Sequence, residues 1–171
     1  MLIRDGEEFR RVFSVLVDNE PGVLARVVGL FSARGFNIES LNVAKVSDAD
    51  NLSRINIVTR GTMAILEQVK AQLGRLIPVH AVLDLESLGR HVERELVLAK
   101  VLGTGEKRVE ALRLADLFRA RVVDSSTESF VFEMTGAPAK LDSFLDLMRP
   151  LGLSEVSRTG VAAIARGLKP V

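Results

Sequence analysis

What most constrains this chain is the order in which its hydrophobic period changes: two, then 3.6, then two again, in a sequence of segments that runs through twice. Arg11 to Val17 is short and rich in β-branched residues, and polar punctuation at Asp18-Asn19-Glu20-Pro21 closes it, which predicts a strand. Leu24, Val27, Val28 and Phe31 then recur at helical spacing up to Gly35, with Pro21 suited to the first helical position. Phe36 to Val46 returns to strand character, but Phe36 and Ile38 are out of phase with Leu41 and Val43, so a bend is expected near Glu39-Ser40. A turn at 47–51 leads into Arg54 to Thr59, which alternates as a hairpin partner should. Thr62 is placed to cap a helix with Ile65, Leu66, Val69 and Leu73 on its stripe, and Leu76 to Leu83 supplies a fourth strand.

After an aperiodic connector at 84–93 the same grammar begins again. Leu96 to Leu102 is strand-like, Gly103-Thr104-Gly105-Glu106 opens a helix, two strands follow at 121–124 and 130–135, and Ala137-Pro138 starts a second helix that Pro150 stops. A last strand is expected near Ser154 to Ala163. The economical reading is α+β: two ferredoxin-like βαββαβ domains, residues 10–84 and 94–167, each burying one sheet face under two helices. Units of about 75 residues are small enough that pairing with another subunit adds needed burial.

Composition excludes several function classes. A net charge of +1 with scattered basic residues offers no field for nucleic acid or an anionic membrane, and the absence of Tyr and Trp removes stacking platforms. Without cysteine there is no disulfide, thiolate nucleophile or cysteine metal site, which fits a cytoplasmic location. The charged start through Glu8 lacks the apolar run of a signal peptide, and no stretch approaches the ~18 apolar residues of a membrane span. His80 and His91 lack cysteine companions, Gly103-x-Gly105-x-Lys107 lacks the ending of a phosphate loop, and the carboxylates are dispersed. No catalytic residue and no metal site is expected.

The turn into the first helix is the informative place. A helix start offers unpaired N–H groups and a positive dipole end to the carboxylate of a free amino acid, and the amides of Gly22, Val23 and Leu24 are placed for it. Asn19 can accept from the ammonium, and Gly22 lets a ligand approach the backbone. Asn19-Glu20-Pro21-Gly22 also reads as an ordinary helix cap, and on the turn alone that reading comes first.

Beyond the turn, long runs of the chain resemble the small, regulatory subunit of acetohydroxyacid synthase, also called acetolactate synthase. The resemblance runs through Asn19 to Val27, Gly29 to Leu41 with its Asn37-Ile38-Glu39-Ser40-Leu41 run, Leu52-Ser53-Arg54, His91 to Leu96 and Ser157-Arg158-Thr159-Gly160. The first half is similar to an ACT domain, a ligand-sensing fold. Phe36 stands where Tyr is common, 161–165 is a loose version of the family's ending, and the extension through Glu8 is unmatched. The resemblance implies a homodimer whose ACT domains join their sheets, with valine at the interface. Asn19, Gly22, Val23 and Leu24 of one subunit would hold the head group, and Asn37 and Ile38 would come from the neighbour. It also implies a large catalytic subunit as partner, carrying the thiamine diphosphate, Mg and FAD that this chain would lack, and a role in feedback control of valine, isoleucine and leucine synthesis. The three effectors differ by little apolar volume, so valine comes from the resemblance and not from the residues. The alternative is a free-standing ACT-type amino-acid-binding regulator of another enzyme or of transcription, although no basic recognition helix is evident.

Overall fold

Residues 7–167 are described by the computed structural model, so most of the extension through Glu8 lies outside the described residues. The chain divides into two units, one ending at Val92 and including the segment from Val161 onward, the other running Glu93–Gly160.

In the first unit β1 (Phe9–Asp18), α1 (Val23–Ser32), β2 (Ser40–Ser47), β3 (Leu52–Gly61), α2 (Met63–Leu73) and β4 (Val79–Asp84) follow one another. The sheet order is β2-β3-β1-β4, with neighbours antiparallel. This is the βαββαβ arrangement the changing periods predict. Phe13, Val15 and Val17 on β1 and Ile55 and Ile57 on β3 pack under Val23, Val27 and Phe31 of α1 and Leu66, Val69 and Leu73 of α2. Thr62 caps α2, its hydroxyl accepting from the Ile65 amide at 3.4 Å. The bend expected in the second strand falls at Glu39, and the residues before it are not strand.

Two local expectations are corrected. Pro21 is not the first helical residue: it sits in a turn, and Gly22 is the N-cap with φ 88°. The single strand expected near Ser154 to Ala163 is two, β8 (Leu153–Arg158) and β9 (Ala162–Ala165). Gly160, at φ 78°, turns the chain between them. β9 belongs with the first unit, where Val161 and Ala163 join Val12, Val58 and Leu85 in a second apolar cluster. The Val161 amide donates to Ser40 Oγ at 2.9 Å, and that of Arg166 to the Arg90 carbonyl at 3.1 Å. This explains why β1 carries apolar residues in both phases of its alternation: consecutive residues Val12 and Phe13 point to opposite faces and both faces are covered.

The second unit repeats the order with β5 (His91–Leu102), α3 (Gly105–Phe118), β6 (Arg121–Ser125), β7 (Ser129–Gly136), α4 (Pro138–Met148) and β8, in sheet order β6-β7-β5-β8. Val97, Ala99, Phe132 and Met134 pack against Ala111 and Ala115 of α3 and Leu141, Phe144 and Met148 of α4. At its edge Arg158 donates from Nε to Glu95 at 2.9 Å and from a second nitrogen to Asp142 at 2.6 Å. The hydrogen bond to the buried Glu95 carboxylate, above all, pushes the Arg158 pKa up.

Candidate functional site

The turn between β1 and α1 is built on β3. In the β1–β3 register Val17 faces Ser53 and Asp18 faces Leu52, so the chain leaving β1 lies beside the 51–53 segment. The Asn19 amide donates to the Asn51 carbonyl at 2.8 Å, and Asn51 Nδ2 donates back to the Asn19 carbonyl at 3.3 Å. The Asn19 side chain is held as well, with Nδ2 3.3 Å from Asn51 Oδ1 and Oδ1 accepting from Ser53 Oγ at 3.0 Å. Asn51 adopts φ 49°, a left-handed conformation that Asn tolerates well. These bonds orient Asn19 while leaving one lone pair of its Oδ1 for a further donor.

Asn51 and Ser53 join this turn only through the fold. Ser53 stands in the Leu52-Ser53-Arg54 run, but only the cross-strand register reveals that it touches the turn.

The helix that starts here is uncapped. Among the described residues no side chain accepts from its first amides, and its first turn holds no acidic residue. The Gly22 and Leu24 amides have no partner among the described residues, and the Val23 amide reaches the Glu20 carbonyl only at 3.4 Å. A Cβ built on Gly22 would meet nothing within 4 Å, so the space over the backbone is open. Asn19 and Gly22 are exposed, whereas the Val23 side chain is in the core, so Val23 has only its amide to offer. Leu24 is 39% exposed, an aliphatic surface beside the open amides. An anion with an aliphatic tail and a nearby donor group suits this arrangement.

Asn37 and Ile38 are not part of this cluster within one chain. Thr59 Oγ1 donates to the Asn37 carbonyl at 2.6 Å and the Glu39 amide to the Val58 carbonyl at 2.8 Å, which places the pair beside the end of β3. Asn19 sits at its beginning. Six residue steps along the strand lead from Ser53 to Thr59, a span of about 20 Å. The Asn37 side chain is exposed, and Ile38 is half-buried against the first core. Glu39 pairs with Arg60 at 2.7 Å.

The two histidines have separate partners: His80 lies 2.7 Å from Asp18, and His91 3.9 Å from Glu86. Among the described residues no helix is long and apolar enough to cross a membrane.

Comparison with known proteins agrees with this architecture. A family model described as the AHAS small subunit-like ACT domain matches residues 13–81, and one described as the small subunit of acetolactate synthase matches residues 94–167. A probable acetolactate synthase small subunit from Archaeoglobus fulgidus is 48% identical over 160 residues, 94% of this chain and 99% of that protein. The acetolactate synthase isozyme 3 small subunit of Escherichia coli is 44% identical over 161 residues, 94% of this chain and 98% of that protein. The crystal structure of the acetolactate synthase small subunit from Thermotoga maritima superposes with a TM-score of 0.83 at 36% identity, covering 94% of this chain and 99% of that one. With its ACT domain first and a second ferredoxin-like domain behind it, the chain belongs to the family of acetolactate synthase small subunits.

Proposed function

We propose that this chain is the subunit through which acetolactate synthase is activated and feedback-inhibited by valine, acting in the cytoplasm as a homodimer joined at its ACT domains. The observation that carries this reading is that two groups of residues lie at opposite ends of one sheet. The open amides and Asn19 lie at the end where β2 finishes, since Ser47 and Asp18 both face Leu52. Asn37 and Ile38 lie where β2 begins, Ser40 being opposite Val58. β2 is an edge strand with Val43 and Val46 exposed. A two-fold axis that pairs β2 with β2 of a second copy sets the end of one strand against the start of the other. Asn19, Gly22, Val23 and Leu24 of one subunit then meet Asn37 and Ile38 of its neighbour, twice per dimer.

In that arrangement the α1 amides receive the valine carboxylate, Asn19 Oδ1 accepts from the ammonium, and Leu24 with the neighbour's Ile38 flanks the side chain. A ligand that bridges two subunits favours the pairing it fits, and this differential affinity is what biases an attached catalytic subunit. The chemistry of acetolactate formation, with thiamine diphosphate, Mg and FAD, resides on that large subunit. The test is to add the purified chain to a catalytic subunit and follow acetolactate with and without valine. Activation that valine reverses is expected; no activation, or acetolactate made from pyruvate by this chain alone, would overturn the reading.

A further inference from the structure

The helical face of the first unit carries a basic feature that the amino-acid site does not use. Arg26, Leu30, Arg34, Gln72, Arg75 and Leu76 line an open groove of about 450 Å³. Leu30 is buried and Leu76 half-buried, so the floor is aliphatic, while the three arginines are exposed around it. None of these guanidinium groups has a hydrogen-bond or ion-pair partner among the described residues. Three other arginines of the unit are answered by carboxylates: Arg11 by Asp84 at 3.3 Å, Arg60 by Glu39 at 2.7 Å and Arg10 by Glu86 at 3.8 Å. In a chain of net charge +1, three unanswered cations around one groove are a local arrangement and not a consequence of basic composition.

The floor narrows the occupant. The groove presents cations for carboxylates and, at Leu30 and Leu76, a floor for an aliphatic side chain. An inorganic anion supplies only the first of these. An acidic polypeptide segment supplies both, and arginine, whose fork takes a carboxylate by two bonds, is enriched where proteins meet. A second copy meeting through this same face would set arginines against arginines, which makes it a poor occupant.

The geometry points to this groove as the docking surface for an acidic, aliphatic-bearing segment of the catalytic subunit, an inference that rests on the regulatory reading above. It gives that reading a route. Helix α1 presents Arg26 and Leu30 to the groove, and its N-terminus forms the effector loop; the Arg26 amide bonds the Gly22 carbonyl at 3.0 Å. A ligand that shifts the start of α1 thus acts on a helix that also carries docking contacts.

The experiment titrates a catalytic subunit with the full chain, with Arg34→Glu/Arg75→Glu, and with Arg26→Gln/Arg34→Gln/Arg75→Gln, reading the concentration for half-maximal activation at low and high KCl. Charge reversal is expected to raise that concentration at least about tenfold and to flatten its salt dependence, with the neutral triple variant between the two. Valine affinity of Arg34→Glu/Arg75→Glu, by calorimetry without the partner, is expected to equal wild type. If charge reversal unfolds the chain, shown by lost valine binding and lost circular dichroism, the neutral triple variant decides by the same criterion. Variants that match wild type in half-maximal concentration and salt dependence overturn the groove and leave the regulatory reading standing. Sodium tripolyphosphate binding that the reversal abolishes, with unaltered activation, makes this a small-anion site and also overturns it. A wild-type chain that binds no catalytic subunit sinks both readings together.

Discussion

Replacing Gly22 tests the proposal that the α1 terminus binds an amino acid, and separates backbone shape from charge. At φ 88° any side chain is strained, by about 1 to 2 kcal/mol, with Asp at the lower end because its short polar side chain bonds locally. Nothing lies within 4 Å of the added Cβ, so this backbone term is the whole structural cost, and the first unit should melt about 5 to 10 °C lower in Gly22→Ala. Gly22→Asp adds a charge. Its carboxylate would stand over the amides of Val23 and Leu24, where it caps the helix itself and repels the carboxylate of valine. At about 4 Å the repulsion is about 1 kcal/mol if water screens it fully and about 4 kcal/mol at the effective dielectric of a protein surface. Valine affinity should therefore fall between about fivefold and about a thousandfold in Gly22→Asp, on top of any loss common to both variants. Calorimetry with valine, alongside activation of a catalytic subunit, measures this directly, and activation should persist in both. Equal valine binding by wild type and Gly22→Asp refutes the site. A loss as large in Gly22→Ala as in Gly22→Asp refutes the electrostatic part of the argument and leaves backbone shape as the cause.

Other perturbations test the neighbouring claims. Asn37→Ala keeps the carbonyl that Thr59 bonds, so it should weaken valine while leaving the melting temperature within a degree or so of wild type; an unfolded variant would mean that Asn37 is structural. Ser40→Ala removes the acceptor for the Val161 amide, worth about 1 kcal/mol, and hydrogen exchange at Val161 should quicken about fivefold. Gly152, at φ 111°, packs its α-carbon where a Cβ would collide with the Leu102 carbonyl oxygen, so Gly152→Ala should lower the melting temperature of the second unit by about 10 °C in calorimetry. Arg158→Ala leaves the buried Glu95 carboxylate uncompensated at a cost of about 3 kcal/mol, whereas Arg158→Met with Glu95→Leu should recover most of it in urea denaturation.

Period and punctuation in the sequence determine most of the elements, because the spacing of apolar residues fixes which side chains share a face before any tertiary contact forms. Leu66, Val69 and Leu73 are buried on the stripe their spacing predicts, and Thr62 caps that helix. The same local logic marks the start of α1 as a set of amides in need of an acceptor. Long-range pairing decided the rest. Asn19 is fixed by Asn51 and Ser53, over thirty positions away, through a register that no local period encodes. The break at Gly160 and the return of Val161 and Ala163 to Val12 and Val58 were equally illegible, since an apolar run states that a face is covered but not by what. Only the tertiary structure sets Asn19 and Asn37 at opposite ends of β3, because β2 doubles back along that strand. That separation is the physical reason the residues brought together on the family resemblance form no single cluster within one chain.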